Sequence, residues 1–550
     1  MTTPGGRRRE GLQSATGGCN DSSTRGTERS MTHDTGYTAA HDTGQTADLP
    51  ADPADDLARR IGPVLRPDPA RVLLRPFVPG QELVTLGVSR ADAVVSRVLA
   101  LDDATVDRTL ADVTSGFDAP HGGLSAVFEQ HVNLLPPKVD GVEQLTGPRA
   151  ELAGAYLTQQ YAIEAAAILN PSLVEHPDQS GLTAGELRFV MTLRGVGEGH
   201  ISSLEFRTGV LTADRSVRLD EPGTRLTRGV ISGARMAVDH LRAAMEDLWM
   251  SNTVDPLLQA LPDPFTPRQL EDTLRRSELL LGTRRSAEET PLDRMRRVAQ
   301  SCYRLDFDPA SLLSERVVFP WSDAERGGIE DVRMVRFVDD DGQVTYRATY
   351  TAYDGANIAP HLLRTEDFLT FHVDKLAGPA AQDKGMALFP RPIGGRQWSL
   401  ARWDRENISL AESADGLRWE RRAQLRRPRR PWELIQLGTC ASPLETPAGW
   451  LVVTHGVGPV RRYSLGAMLL DLDEPNRVLG DLDGPLLTPN EEERVGYVPN
   501  VVYTCGALIH EGTLVLPYGC SDSSIRFATF AVDDLVSRMS PGGKRSPSSG

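Results

Sequence analysis

With 40% hydrophobic and 25% charged side chains, the 550-residue chain has the composition of a water-soluble folded protein, long enough for roughly two to four domains. Its net charge of −15 and pI near 5.3 exclude a nucleic-acid or anionic-membrane surface as the main partner. No apolar run reaches the ~18 residues of a membrane span, and Arg7-Arg8-Arg9 has no apolar stretch behind it, which argues against a secretory signal.

Residues 1–60 are rich in Gly, Ser, Thr and Asp and are expected to be disordered, with Met31 as an alternative start. The tail 538–550 has the same character. Residues 65–168 read as mainly helical. Ser89 to Asp92 has the pattern of a capping box, and Val94, Val95, Val98 and Leu99 follow at helical spacing. A second helix is predicted from Pro148 through Ile163 and Ala167, ending at Asn170-Pro171. Leu187–Leu193 reads as a strand, and 228–300 as a further helical block in which Thr266-Pro267-Arg268-Gln269 has the form of a helix start.

From about 310 to 537 the character changes to short β-type runs between Gly, Pro, Asn and Asp turns. Met334–Val338 and Val344–Tyr350 predict a hairpin around Asp339-Asp340-Asp341-Gly342. That turn lacks the spaced acids of a calcium loop, so no metal is expected there. Thr365-Glu366-Asp367-Phe368-Leu369-Thr370-Phe371 matches Ser413-Ala414-Asp415-Gly416-Leu417-Arg418-Trp419 in pattern, and the spacing suits one blade of a β-propeller. Phe371 and Trp419 are then packing residues.

The polar clusters fall where strands meet loops. They are Arg194 to His200, Glu330-Asp331 with Arg333, Tyr353-Asp354, Lys384 to Arg391, Glu445 to Trp450, His455 to Gly458, Gly496 to Asn500, and Tyr518 to Asp522. In a propeller such loops converge on the axis, where small ligands bind. Asp331 beside Arg333 suits a general acid or a sugar-hydroxyl ligand. Lysine stands only at Lys138, Lys375, Lys384 and Lys544 among 60 basic residues, so Lys384 draws notice as a compact point charge. The five cysteines, Cys19, Cys302, Cys440, Cys505 and Cys520, show no metal-type spacing; this suits a reducing cytoplasm and predicts no metal site.

Taken in order, these motifs resemble the mannoside phosphorylase family, glycoside hydrolase family 130. They include Leu169-Asn170-Pro171, Gly328 to Arg333, Tyr350 to Gly355, Lys384 to Pro390, Pro443 to Thr446, Thr454 to Val457, Tyr463 to Leu472, Gly496 to Val502, and Tyr518-Gly519 with Asp522. The resemblance covers about 157–212 and 305–537. It implies a mainly β fold, a five-bladed β-propeller over 157–537, preceded by a helical region at 61–156. The helical insertion at about 228–300 would lie between the first and second blades.

It implies inverting phosphorolysis of β-mannosides to mannose 1-phosphate, with inorganic phosphate as co-substrate and no cofactor. Asp331 would be the general acid, acting through a mannose hydroxyl. Where the family has Glu-Asp-Pro-Arg, this chain has Val332 for the proline. Lys384, Arg391 and His455 would cradle phosphate, with Arg402 and Arg333 behind them. Asn170, Arg194, Glu330, Arg333, Tyr353, Asp354, Glu445, Tyr497, Asn500, Tyr518 and Asp522 would bind substrate. An inverting hydrolase using Glu330 or Glu445 as base, or a non-catalytic glycan-binding propeller, remain alternatives. The expected partners are a β-mannoside oligosaccharide and phosphate, with no nucleic acid or membrane; assembly into a homo-oligomer stays open.

Overall fold

The hairpin predicted around Asp339–Gly342 forms and is longer than the sequence suggests. Strand Gly328–Val338 runs antiparallel to Val344–Tyr353. Gly342 closes the turn at φ 83, a left-handed conformation that glycine adopts without penalty. The computed structural model of the protein describes residues 56–77, 83–85, 88–281 and 289–541. The expectation of disorder for most of 1–60 and of the tail lies outside these residues. The parts that are described differ from it: Arg59–Leu65 is a strand, and Ser540–Pro541 pairs with Gly480 and Asp481.

The fold is mainly β. Strands Gly328–Val338, Val344–Tyr353, Ile358–Thr365 and Thr370–Lys375 form one antiparallel fan, extended by Tyr303–Asp306 and Val230–Gly233. Its strand pairing with the fan of Ala167–Glu175, Leu187–Val196 and Ser202–Leu211 is the single parallel pair Gly328–Ser202. A third fan runs from Ala387–Leu388 to Glu420–Arg426, and a fourth is centred on Gly449–Val457 and Tyr463–Leu470. The fifth joins the chain's two ends: Arg59–Leu65 pairs with Ser524–Ala531, which pairs with Thr513–Cys520.

The core lies between successive fans. Phe189 and Met191 pack on Ile525 and Phe527. Phe206 and Val190 pack on Tyr346 and Phe371. Val335 and Leu362 meet Leu388 and Trp419. Leu400 and Leu410 meet Trp450 and Val452. Leu451 and Leu465 meet Leu514 and Phe530. Each fan therefore covers its neighbour, and the last covers the first.

The repeated motif has a physical basis. Thr365 Oγ1 accepts from the Phe368 N–H at 2.8 Å, and Asp367 Oδ1 accepts from Leu369 and Thr370 at 2.8 and 2.9 Å. Ser413 Oγ accepts from Gly416 at 2.9 Å, and Asp415 Oδ1 from Leu417 and Arg418 at 2.8 and 2.9 Å. Each turn delivers an aromatic, Phe371 or Trp419, with no exposed surface.

Two helical expectations need correction. Helices Arg90–Leu99, Asp103–His121, Leu124–Val132 and Gly147–Tyr156 occupy the N-terminal region, but 65–168 also holds strands Val72–Pro76 and Thr158–Ala162, which pair with each other. The helix predicted from Pro148 to Ala167 stops at Tyr156. Ile163 and Ala167 are apolar because both are fully covered, not because they share a helix face. The block 228–300 forms helices Val238–Glu246, Ser251–Leu258, Pro267–Leu281 and Pro291–Gln300 around a core of Leu241, Met245, Leu274 and Met295. No helix among the described residues is long and apolar enough to cross a membrane.

Trp419→Ala removes a fully covered indole that also donates to Gly416 O at 3.1 Å. It is expected to cost about 3–5 kcal/mol in urea unfolding. An unchanged midpoint would contradict the packing role of the repeat.

Candidate active site

Two inner strands share the same irregularity. In Ala167–Glu175 the register slips between Leu169 and Ser172, and Asn170 takes φ 53. In Gly328–Val338 it slips between Glu330 and Arg333, and Asp331 takes φ 53. Such bulges re-aim a side chain and gather near active sites. A left-handed conformation at a residue other than glycine is a cost that the surrounding fold must hold in place.

Asp331 is 8% exposed and surrounded by cations. Burial acts to raise its carboxyl pKa, but Lys384, Arg333, Arg194 and Arg402 outweigh burial and hold it below the usual carboxylate range. Arg333 is fixed by three donations, to Cys440 O at 3.0 Å, Asp331 O at 2.9 Å and Tyr503 Oη at 2.8 Å. Its guanidinium lies 3.8 Å from Asp331 Oδ2. Arg194 donates to Glu330 at 2.7 Å. Lys384 sits between two left-handed residues, Asp383 and Gly385, and Thr439 Oγ1 holds the Gly385 carbonyl at 2.7 Å. Among the described residues the Lys384 ammonium has no hydrogen-bond partner.

His455 lies near the end of the buried strand Gly449–Val457. Burial, then Arg402 and Arg333, push its pKa well down, so it is neutral. Its Nε2 faces Gln436 Nε2 at 3.2 Å and Arg402 at 3.5 Å, while Nδ1 lies 3.6 Å from Cys440 Sγ. Arginine can only donate, so Nε2 accepts and the proton sits on Nδ1. The ring stacks on Tyr463 and meets the edge of Tyr503. Asp522, at φ 53, is coupled to Arg194 and Asp331. Burial is the larger influence there and raises its carboxyl pKa to about 6.

Asn170 Oδ1, Arg194 Nε and Arg402 Nε are buried without a protein partner among the described residues. A dry, unpaired polar atom costs about 1–3 kcal/mol. Three in one place mark a site for a polar ligand.

Not every sequence candidate joins this cluster. Arg391 and Glu445 pair with each other, with two contacts of 2.8 Å. They stand beside the far end of Gly328–Val338, where Val338 donates to Pro390 O. Seven residues at ~3.3 Å each place them about 23 Å along the strand from Asp331. Arg391 also lies over the Trp450 ring, and both residues line a separate cavity of about 540 Å³. Neither belongs to the Asp331 cluster, because a strand end in the sequence does not show which end of the sheet it occupies.

Asp354 accepts from the N–H groups of Ala356 and Asn357 and so caps its own turn, on which Tyr353 folds back through a bond to Gly355 O. Tyr518 is fully buried and donates to Glu493 at 2.7 Å, and Arg60 pairs with the same carboxylate. These three shape the fold rather than the cluster. Tyr497 is exposed at the rim, stacked on His200. Asn500, at φ 63, turns the chain there and accepts from the Tyr463 N–H at 3.0 Å. Gln436, Tyr463 and Tyr503 were missed. They lie within apolar runs and carry no charge that spacing could flag.

A family model described as beta-1,4-mannooligosaccharide phosphorylase matches residues 310–540. A beta-1,4-mannooligosaccharide phosphorylase of Ruminococcus albus is 30% identical over 245 residues, 42% of this chain and 71% of that protein. A beta-1,2-mannobiose phosphorylase of Listeria innocua is 28% identical over 230 residues, 40% of this chain and 63% of that one. A 1,2-beta-oligomannan phosphorylase of Thermoanaerobacter is 33% identical over 155 residues, 28% and 52% of the two. The aligned part thus spans between half and two thirds of the length of the last two relatives. The solved Listeria innocua beta-1,2-mannobiose phosphorylase, in complex with beta-1,2-mannobiose, aligns at 20% identity and TM-score 0.39, over 69% of this chain and 93% of its own. The chain belongs to glycoside hydrolase family 130, whose relatives named here are mannoside phosphorylases.

Removing the nearest free cation tests the electrostatics. Lys384→Ala is expected to raise the Asp331 carboxyl pKa, read by carbon-detected NMR titration of labelled aspartate. An unmoved titration would show that Lys384 does not act on Asp331.

Proposed function

We propose that the protein is a five-bladed β-propeller enzyme that cleaves β-mannosides by inverting phosphorolysis, giving mannose 1-phosphate. The cyclic packing of the five fans supports the propeller. The observation that carries the reaction is the group of four cations, Lys384, Arg333, Arg194 and Arg402, around the single buried carboxylate of Asp331.

Phosphate is already a nucleophile and needs no protein base. It needs cationic donors that hold it beside the anomeric carbon. Lys384 and Arg402 would take this role, with neutral His455 behind them. Phosphate attacks the anomeric carbon from the face opposite the leaving group, and the glycosidic bond breaks. Asp331 supplies the departing oxygen's proton through a mannose hydroxyl. The same cations that keep Asp331 ionised would be offset by the phosphate charge, so the carboxyl regains its proton when the co-substrate binds. Glu330 is tied to Arg194, and Asn170 and Asp522 are left to take sugar hydroxyls.

A second reading, inverting hydrolysis, is favoured by one observation: Asp522, with a pKa near 6, is a second carboxyl coupled to Asp331. It replaces Glu330 and Glu445 as candidate base. Incubation of β-1,2- and β-1,4-mannobiose with and without inorganic phosphate separates the two. Mannose 1-phosphate formed only with phosphate is the expected result; free mannose formed without it would establish hydrolysis instead.

Asp331→Asn is expected to lower turnover by about a hundredfold to ten-thousandfold while leaving thermal unfolding unchanged. Near-normal turnover in this variant would remove Asp331 from the acid role.

A further inference from the structure

Three strands across the sheet from Arg333, three side chains with metal-binding chemistry converge from distant parts of the sequence. They are His240 on helix Val238–Glu246, Cys302 just before strand Tyr303–Asp306, and Asp374 in strand Thr370–Lys375. One ligand atom from each lies within 4.8 Å of the other two. All three residues are at most 8% exposed. The register that pairs Tyr303 with Val373 brings Cys302 beside Asp374, and the helix lays His240 over both.

His240 Nε2 lies 2.7 Å from the Lys375 carbonyl, which can only accept, so Nε2 carries the proton and Nδ1 keeps its lone pair. Metal-bound histidines are held in this way by a carbonyl on their other nitrogen. A thiolate and a carboxylate together balance a dication. Of the neighbouring cations, Lys375 is buried, which lowers its pKa against the smaller opposing influence of Asp247, and its ammonium donates to Leu376 O at 3.3 Å. Arg364, 2.5 Å from Asp374, is 43% exposed and can turn to solvent.

We propose that His240, Cys302 and Asp374 bind one zinc-class divalent cation that pins the helical block 238–300 to the sheet. Sulfur and imidazole donors favour zinc over magnesium or calcium, and three protein ligands leave a fourth tetrahedral position to solvent. On binding, the Cys302 S–H bond breaks, its proton passes to solvent and the S–metal bond forms, with no change of oxidation state. Affinity therefore rises with pH.

The test uses tag-free full-length protein, stripped with chelator and titrated with Zn(II) against a chromophoric competitor, and separately with Co(II). The expected result is one equivalent bound per chain, a thiolate-to-cobalt charge-transfer band, and a higher melting temperature with metal. Cys302→Ser is expected to abolish the band and weaken binding at least tenfold. His240→Gln is expected to weaken binding while retaining the band, and it covers the case in which the cysteine variant fails to fold. Substoichiometric binding by the wild type, or undiminished affinity and an unchanged band in Cys302→Ser, would overturn the proposal.

Discussion

A carboxylate shut away from water beside four cations is the constraint around which the rest of the molecule is arranged. An isolated charge in such a place would neutralise itself by shifting its pKa. Asp331 does the reverse, because Lys384, Arg333, Arg194 and Arg402 together outweigh burial. Arg333 shares the strand of Asp331, but Lys384, Arg194 and Arg402 come from other strands and loops, so neighbouring sheets must pack before the full set is assembled. The site is correspondingly poised. Its cations exceed its carboxylates, and the excess suits a multiply charged anion.

The backbone contributes as much as the charges. Asn170 and Asp331 sit at matching bulges in the innermost strands of adjacent fans, each at φ 53. A regular strand would send alternate side chains up and down the pleat. The bulge breaks that alternation and re-aims the chosen residue. Arg333 then locks the Asp331 segment by donating to its carbonyl, to Cys440 O and to Tyr503. Pairing of Arg59–Leu65 with Ser524–Ala531 ties the two ends of the described chain into one sheet. It holds the ring that presents these strands.

Much of this was legible in the sequence where local chemistry is self-contained. The hairpin and the Thr365 and Ser413 turns each depend on residues within a few positions of one another, and they form as expected. Asp331, Lys384, His455 and Asp522, which the structure brings together, each stand out in the sequence as an ionisable group near a turn or strand end. What failed was anything set by long-range pairing. Thr158–Ala162 looked helical because its partner, Val72–Pro76, lies some eighty residues earlier. Arg391 and Glu445 looked like ligands because sequence marks a strand end without saying which mouth of the ring it faces. Asp354 and Tyr518 looked available, yet one caps its own turn and the other anchors Glu493. The grouping of His240, Cys302 and Asp374 was invisible for the same reason.

The central claim is that the excess of cations around Asp331 exists to hold a phosphate dianion. Calorimetric titration of inorganic phosphate into the wild-type protein and into Arg402→Ala tests this most directly. The account predicts saturable binding by the wild type and its loss, or a drop of at least tenfold, in the variant. No binding by the wild type, or equal binding by the two, would contradict it.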